Sequence, residues 1–204
     1  MSLKSDIFAD YAAMSDGRPA NCLRVLRKCL TSPGLRVVVL YRLGRAAYLR
    51  GHLVLALWLQ WKMIRLGADI STEARIGPGL RVPHPQGITV GSKTLIGERA
   101  YLLQGVTLGG SLGKARPDGS TQPRVGDNVC LGAGAKLVGP VDIGDNVMIG
   151  ANAVVTCDLP ADCVAAGVPA RIIRQKGQAV PSAFEELKSR FEVVLTELDK
   201  LKNG

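Results

Sequence analysis

Thirteen aliphatic residues recur at a six-residue spacing through the middle of the chain, and no other feature restricts its fold so sharply. Ile70, Ile76 and Val82 open the series. Val90, Ile96, Leu102 and Leu108 continue it after a shift of two residues. Val125, Leu131, Leu137, Ile143, Ile149 and Val155 resume it after an interruption. A period of six matches neither an α-helix nor an alternating strand. It matches a parallel β-helix of triangular section, with a short strand on each flat and a tight turn at each corner. Each aliphatic then points inward and stacks on its equivalents in neighbouring coils. The 24 glycines concentrate between Gly67 and Gly167, many directly after a repeat position, as in "IGPGLR", "LGAGAK" and "IGDNVM". Small residues suit a chain that must bend at every corner.

The segments outside the repeat read differently. Residues 1–66 form a helical N-terminal segment, in which "NCLRVLRKCL" sets Leu23, Leu26 and Leu30 on one face. "GLRVVVLYRLGRAAYLR" and "HLVLALWLQWKMIRLG", parted by Gly51, predict a helical hairpin. The β-helix domain takes residues 67–175. The polar stretch "GSLGKARPDGSTQP", residues 110–123, breaks its repeat and is expected to leave the coil as a functional loop. Residues 176–204 read as a linker and an amphipathic C-terminal helix. There Phe184, Leu187, Phe191, Val194, Leu198 and Leu201 follow heptad spacing, which fits a short coiled coil or a helix laid against the solenoid. The fold class is therefore mainly β: a parallel β-helix with helical attachments at both ends.

Charge is segregated. Between Gly17 and Ala68 there are ten Lys and Arg and no Asp or Glu, so the net +9 belongs to the N-terminal helices. Such helices fit either a solvated oligomerisation cap or peripheral contact with an anionic membrane. Nucleic-acid binding is not expected, because no recognition motif is present and aromatics are few. Five cysteines without C-x-x-C spacing or nearby histidines predict no metal site and read as reduced thiols. The N-terminus carries no signal-peptide pattern, and "LVLALWLQW" is too short to span a bilayer, so a cytoplasmic protein is expected.

Acid–base chemistry near neutral pH has few candidates, because the chain has only two histidines, His52 and His84. His84 lies in "VPHPQG", between Pro83 and Pro85. Proline restricts the backbone on both sides of it, which would hold the imidazole still.

The motifs "ITVGSKTLIGERAYLLQGVTLGG", "LGAGAKLVGPVDIGDN" and "AGVPARII" resemble the serine O-acetyltransferase branch of the hexapeptide acyltransferases, from about Gly34 to Ile173. The resemblance implies a left-handed coil, a homotrimer, and acetyl-CoA bound in the groove between subunits. It implies that His84 is the catalytic base and that Asp69, in "ADI", orients it. It implies a pantetheine arm along Ala133 and Gly134, and cofactor phosphates near Lys136, Arg171 and Arg174. Backbone amides around Gly109 and Gly110 are candidate oxyanion donors, because glycine lets the backbone approach closely. An alcohol attacks a thioester only as a base removes its proton, and an imidazole steadied by a carboxylate suits that step.

The acceptor side departs from the family. Pro83 stands where an aspartate holds the substrate ammonium. "STQP", Ser120 to Pro123, stands where an Asp-Arg-His-Pro run meets the substrate carboxylate. Free serine is a zwitterion and needs both charges answered. Thr121 and Gln122 suit a neutral, hydroxyl-rich acceptor better, so the sequence points first to a sugar of an exopolysaccharide or related glycan. Serine itself is the alternative, and a non-catalytic β-helix scaffold is the second.

Overall fold

The computed structural model describes residues 2–111 and 113–176. The expected C-terminal helix lies outside them. Four helices precede the coil: α1 (Leu3–Ala13), α2 (Cys22–Thr31), α3 (Pro33–Leu49) and α4 (Leu53–Arg65). The starts of α2 and α3 are chemically marked. Asn21 caps α2 by accepting a hydrogen bond from the Arg24 amide at 2.8 Å. Ser32 caps α3 by accepting from the Leu35 amide, with Pro33 in the first turn. Helices α3 and α4 pack on each other as the hairpin that the sequence suggests.

The coil then climbs through three flats. The first stacks β1 (Ala68–Ile70), β3 (Ile88–Val90), β6 (Thr107–Gly109), β9 (Lys136–Val138) and β12 (Val154–Val155). The second stacks β2 (Arg75–Ile76), β4 (Leu95–Ile96), β7 (Arg124–Val125) and β10 (Asp142–Ile143). The third stacks β5 (Tyr101–Leu102), β8 (Cys130–Leu131), β11 (Met148–Ile149), β13 (Cys163–Ala166) and β14 (Arg171–Gln175). All pairings are parallel except the last, where β14 returns antiparallel on β13 and closes the end. Registers of eighteen residues, such as Lys136↔Val154, are the repeat made visible.

All thirteen repeat aliphatics are buried. So is a second inward position two residues earlier, filled by smaller groups such as Ala68, Ala74, Ala100, Val129, Ala135 and Ala153. The sequence signal missed this second row because its residues vary in size and type. Burying aliphatics in this stack contributes about 1.5–3 kcal/mol for each large side chain.

A buried polar knot helps tie the helices to the coil. Asp10 of α1 and Arg42 of α3 form a buried ion pair at 2.8 and 3.0 Å. Arg42 also donates to the carbonyls of Ile76 at 2.5 Å and Gly77 at 2.6 Å. Asp10 accepts from the Leu80 amide at 2.8 Å. Burial is the largest influence on Asp10 and raises its carboxyl above the usual range, against the pull of Arg42. Tyr41 lies beside this knot. Its hydroxyl donates to the Ala74 carbonyl at 2.7 Å and accepts from the Ile76 amide at 3.2 Å.

Candidate active site

His84 owes its position to the shift of two residues in the repeat. β1 and β3 pair as Ala68↔Ile88, twenty residues apart, whereas β3 and β6 pair as Thr89↔Thr107, eighteen apart. The two extra residues fall in the corner between Val82 and Ile88. Val82 and Pro85 stay buried, and His84 is pushed out, exposed to solvent. Helix α3 supports this corner from behind. Gly34 packs so closely on the Val82 carbonyl that any Cβ there would collide with it.

The corner belongs to an edge where the third flat turns into the first. Along it the coils stack through Gly87, Gly105 and Gly134. A Cβ on Gly87 would meet the Gly105 Cα at 3.3 Å, and one on Gly105 would meet the Gly134 Cα at 3.4 Å. No Cβ therefore stands at these three positions, and a long thin substrate can approach the backbone there. Ala133 accepts from the Asn152 amide at 2.8 Å, which fixes the next coil beside Gly134. Lys136 sits on the same edge and donates its Nζ to the Gly105 carbonyl at 2.5 Å, so its ammonium is already engaged within the coil.

Asp69 is close to this corner in the stack, because the Gly87 amide donates to the Gly67 carbonyl at 2.7 Å. In register Asp69 faces Thr89 rather than His84. Its Oδ1 accepts from Gln60 Nε2 of α4 at 2.9 Å. Gln60 was not legible as a site neighbour in the sequence, because the contact depends on how α4 meets the first coil.

Gly109, Gly110, Thr121 and Gln122 gather on the next edge, where the first flat turns into the second. Gly110 packs on Thr121 and Gln122, and a Cβ there would meet Thr121 Oγ1 and Gln122 Nε2 at 2.9 Å. Gln122 Oε1 accepts from the buried Thr94 hydroxyl at 3.3 Å. Gly109 accepts from the Gly139 amide at 2.9 Å. The loop that leaves the coil here folds back on it. Arg116 donates to the Gln122 carbonyl at 2.7 Å and pairs with Asp142 at 2.6 Å, while Arg124 pairs with Asp118. Arg116 thus brings a guanidinium to an edge where residue matching found no cation. Its Nε is buried without a hydrogen-bond partner among the described residues.

The two basic residues of β14 part company. Arg171 pairs with Ala166, next to the turn that caps the first edge. Arg174 pairs with Val164 and lines a depression with Asp162 and Lys176, away from Gly134. The described residues hold no group of three metal-ligating side chains. The five cysteines are unpaired.

Comparison with known proteins agrees with this fold. Residues 122–157 match the bacterial transferase hexapeptide (six repeats) family. The serine acetyltransferase of Synechococcus elongatus is 35% identical over 175 residues, covering 84% of this chain and 69% of that protein. The crystal structure of Neisseria gonorrhoeae serine acetyltransferase in complex with serine aligns at a TM-score of 0.72 with 36% identity. It covers 83% of this chain and 68% of that one. A serine acetyltransferase complex with CoA aligns at 0.71 with 34% identity, over 84% and 70% of the two chains. The chain spans about half the length of plant and enterobacterial relatives. These matches carry the left-handed coil of the hexapeptide proteins. They lend no support to the glycan acceptor expected from the sequence, and they favour its alternative, serine. The chain belongs to the serine acetyltransferase family of hexapeptide-repeat enzymes, a family of acetyl-CoA-dependent O-acetyltransferases.

Proposed function

We propose that the chain transfers the acetyl group of acetyl-CoA to the hydroxyl of L-serine, with His84 as general base. The observation that carries this is the exposed imidazole at the head of a line of stacked glycines. In the reaction His84 takes the hydroxyl proton as the serine oxygen bonds to the thioester carbon. The tetrahedral oxyanion draws on backbone amides at Gly109 and Gly110. It collapses as the carbon–sulfur bond breaks, and the imidazolium returns its proton to the leaving thiolate. Asp69, steadied by Gln60, favours the imidazolium by its charge. Ala133 and Gly134 offer backbone to the pantetheine arm. Arg171 is the better placed of the two β14 arginines for phosphate, and Lys136 must leave the Gly105 carbonyl to reach one. Arg116 is the cation we assign to the serine carboxylate.

The first edge carries His84 and the second carries Gln122 and Thr121, at opposite ends of one flat. Both can serve one acceptor when the first edge of one copy meets the second edge of another. A homotrimer satisfies this with one kind of contact. A second reading, a neutral sugar hydroxyl, is favoured by Pro83, Thr121 and Gln122, none of which carries charge. Thiol release from acetyl-CoA with L-serine and a panel of sugars and sugar nucleotides separates the two. Serine-dependent release with inert sugars supports the main reading. The reverse result replaces it with the second.

The reading includes contact with an anionic bilayer. Helix α4 exposes Leu53, Val54, Leu57, Trp58 and Trp61, with Lys62 over the Trp58 ring at 4.0 Å and Arg65 over the Trp61 ring at 4.8 Å. Aromatic rings flanked by cations suit a headgroup interface. No helix among the described residues is long and apolar enough to cross a membrane.

A further inference from the structure

A cleft of about 520 Å³ lies between the end of α1 and helix α2, away from both coil edges. Arg18, Arg24, Arg27 and Lys28 line it, together with Tyr11, Pro19 and Thr31. Arg24, Arg27, Lys28 and Thr31 follow the spacing i, i+3, i+4, i+7, so α2 presents one continuous basic stripe to the cleft. No Asp or Glu lines it. None of the four cations makes an ion pair among the described residues. The Arg24 guanidinium donates to the Pro19 carbonyl at 2.9 Å. Like charges three and four residues apart on a helix repel one another. A bound polyanion would turn that repulsion into attraction.

We propose that this cleft binds a phosphate-bearing polyanion with at least two phosphates, such as a nucleoside diphosphate or a phosphorylated lipid headgroup. Three guanidinium groups offer planar forks that match phosphate oxygens, and Lys28 adds a point charge. The volume falls in the range of small-molecule sites and suits a diphosphate with one attached ring. The site is independent of the acceptor in the proposed function, because no residue of either coil edge lines it.

The test is calorimetric titration of the full chain, without CoA, with pyrophosphate and with a nucleoside diphosphate, the cleft variants below distinguishing this site from the cosubstrate site. Parallel sedimentation uses vesicles with and without a phosphorylated inositol lipid. We expect binding that weakens with salt and falls at least tenfold, about 1.4 kcal/mol, in Arg27→Gln/Lys28→Gln. Arg18→Gln, which lies outside the helix, is expected to weaken it as well and guards against a helix defect. Binding of the soluble anions assigns a free metabolite, and binding of the phosphorylated vesicles alone assigns a lipid headgroup. No binding of any probe to the wild-type chain overturns the proposal. So does binding that both variants retain in full.

Discussion

Tyr41 shows how one side chain reports on the whole joint between helices and coil. Burial is the main cause that pushes its hydroxyl up to about 12. An unfolded tyrosine ionises near 10. The folded state therefore holds the proton more tightly, and stability present below pH ~10 is lost as pH rises toward 12. The loss is on the order of 2–3 kcal/mol over that window. Tyr41→Phe is expected to flatten this alkaline limb in urea unfolding curves recorded at stepped pH. At neutral pH it leaves the Ala74 carbonyl and Ile76 amide short of a partner, costing about 1–3 kcal/mol. An unchanged alkaline limb would contradict the assignment. His84 and Gln122 stand apart from such structural groups, because their neighbours leave them at the surface or at its margin. The scarcity of histidines, the flanking prolines and the family resemblance drew attention to His84 in the sequence. Sequence spacing could not find Gln60, Arg116 or the Asp10–Arg42 pair, whose partners are set by packing between distant segments.

At the scale of elements, a buried polar knot helps hold α1 to the coil. Arg42→Met removes the cation and leaves Asp10 buried without its counter-charge. A broken buried pair costs about 3–5 kcal/mol, so the chain is expected to unfold at clearly lower urea. A midpoint unchanged from wild type would mean that α1 docks through apolar contacts alone. Helix α4 makes a different kind of prediction. The wild-type chain is expected to sediment with anionic vesicles more than with neutral ones, and salt is expected to reduce the difference. Trp58→Ala/Trp61→Ala is expected to abolish it. Equal behaviour toward both vesicle types would remove the bilayer from the account. The hairpin of α3 and α4 was readable from apolar runs separated by Gly51. Which face stays exposed was not, because both helices are apolar nearly all round.

At the scale of the whole molecule, the repeat made the coil legible and hid its asymmetry. Six-residue spacing is a local property of each turn, so the β-helix could be read directly from the sequence. The edges become distinct only when the coils stack. Stacking puts His84 with the glycine line and puts Gln122 on another corner. A site shared between copies makes activity depend on assembly. On dilution, acetyl transfer per chain is expected to fall together with the trimer measured by sedimentation. A fully active monomer would contradict a shared site. Matching residue by residue noted the lost charges in "STQP", which turned the sequence reading toward a glycan, and could not see Arg116 fold back to that edge; the relatives favour the alternative, serine.

The most direct measurement is the rate of serine-dependent thiol release from acetyl-CoA by the wild-type chain and by His84→Ala, with the fold of both checked by circular dichroism. If His84 is the general base, kcat falls by about 10²–10⁴-fold while the coil stays intact. A His84→Ala enzyme that releases thiol at the wild-type rate would contradict the account and leave the exposed corner without a catalytic role.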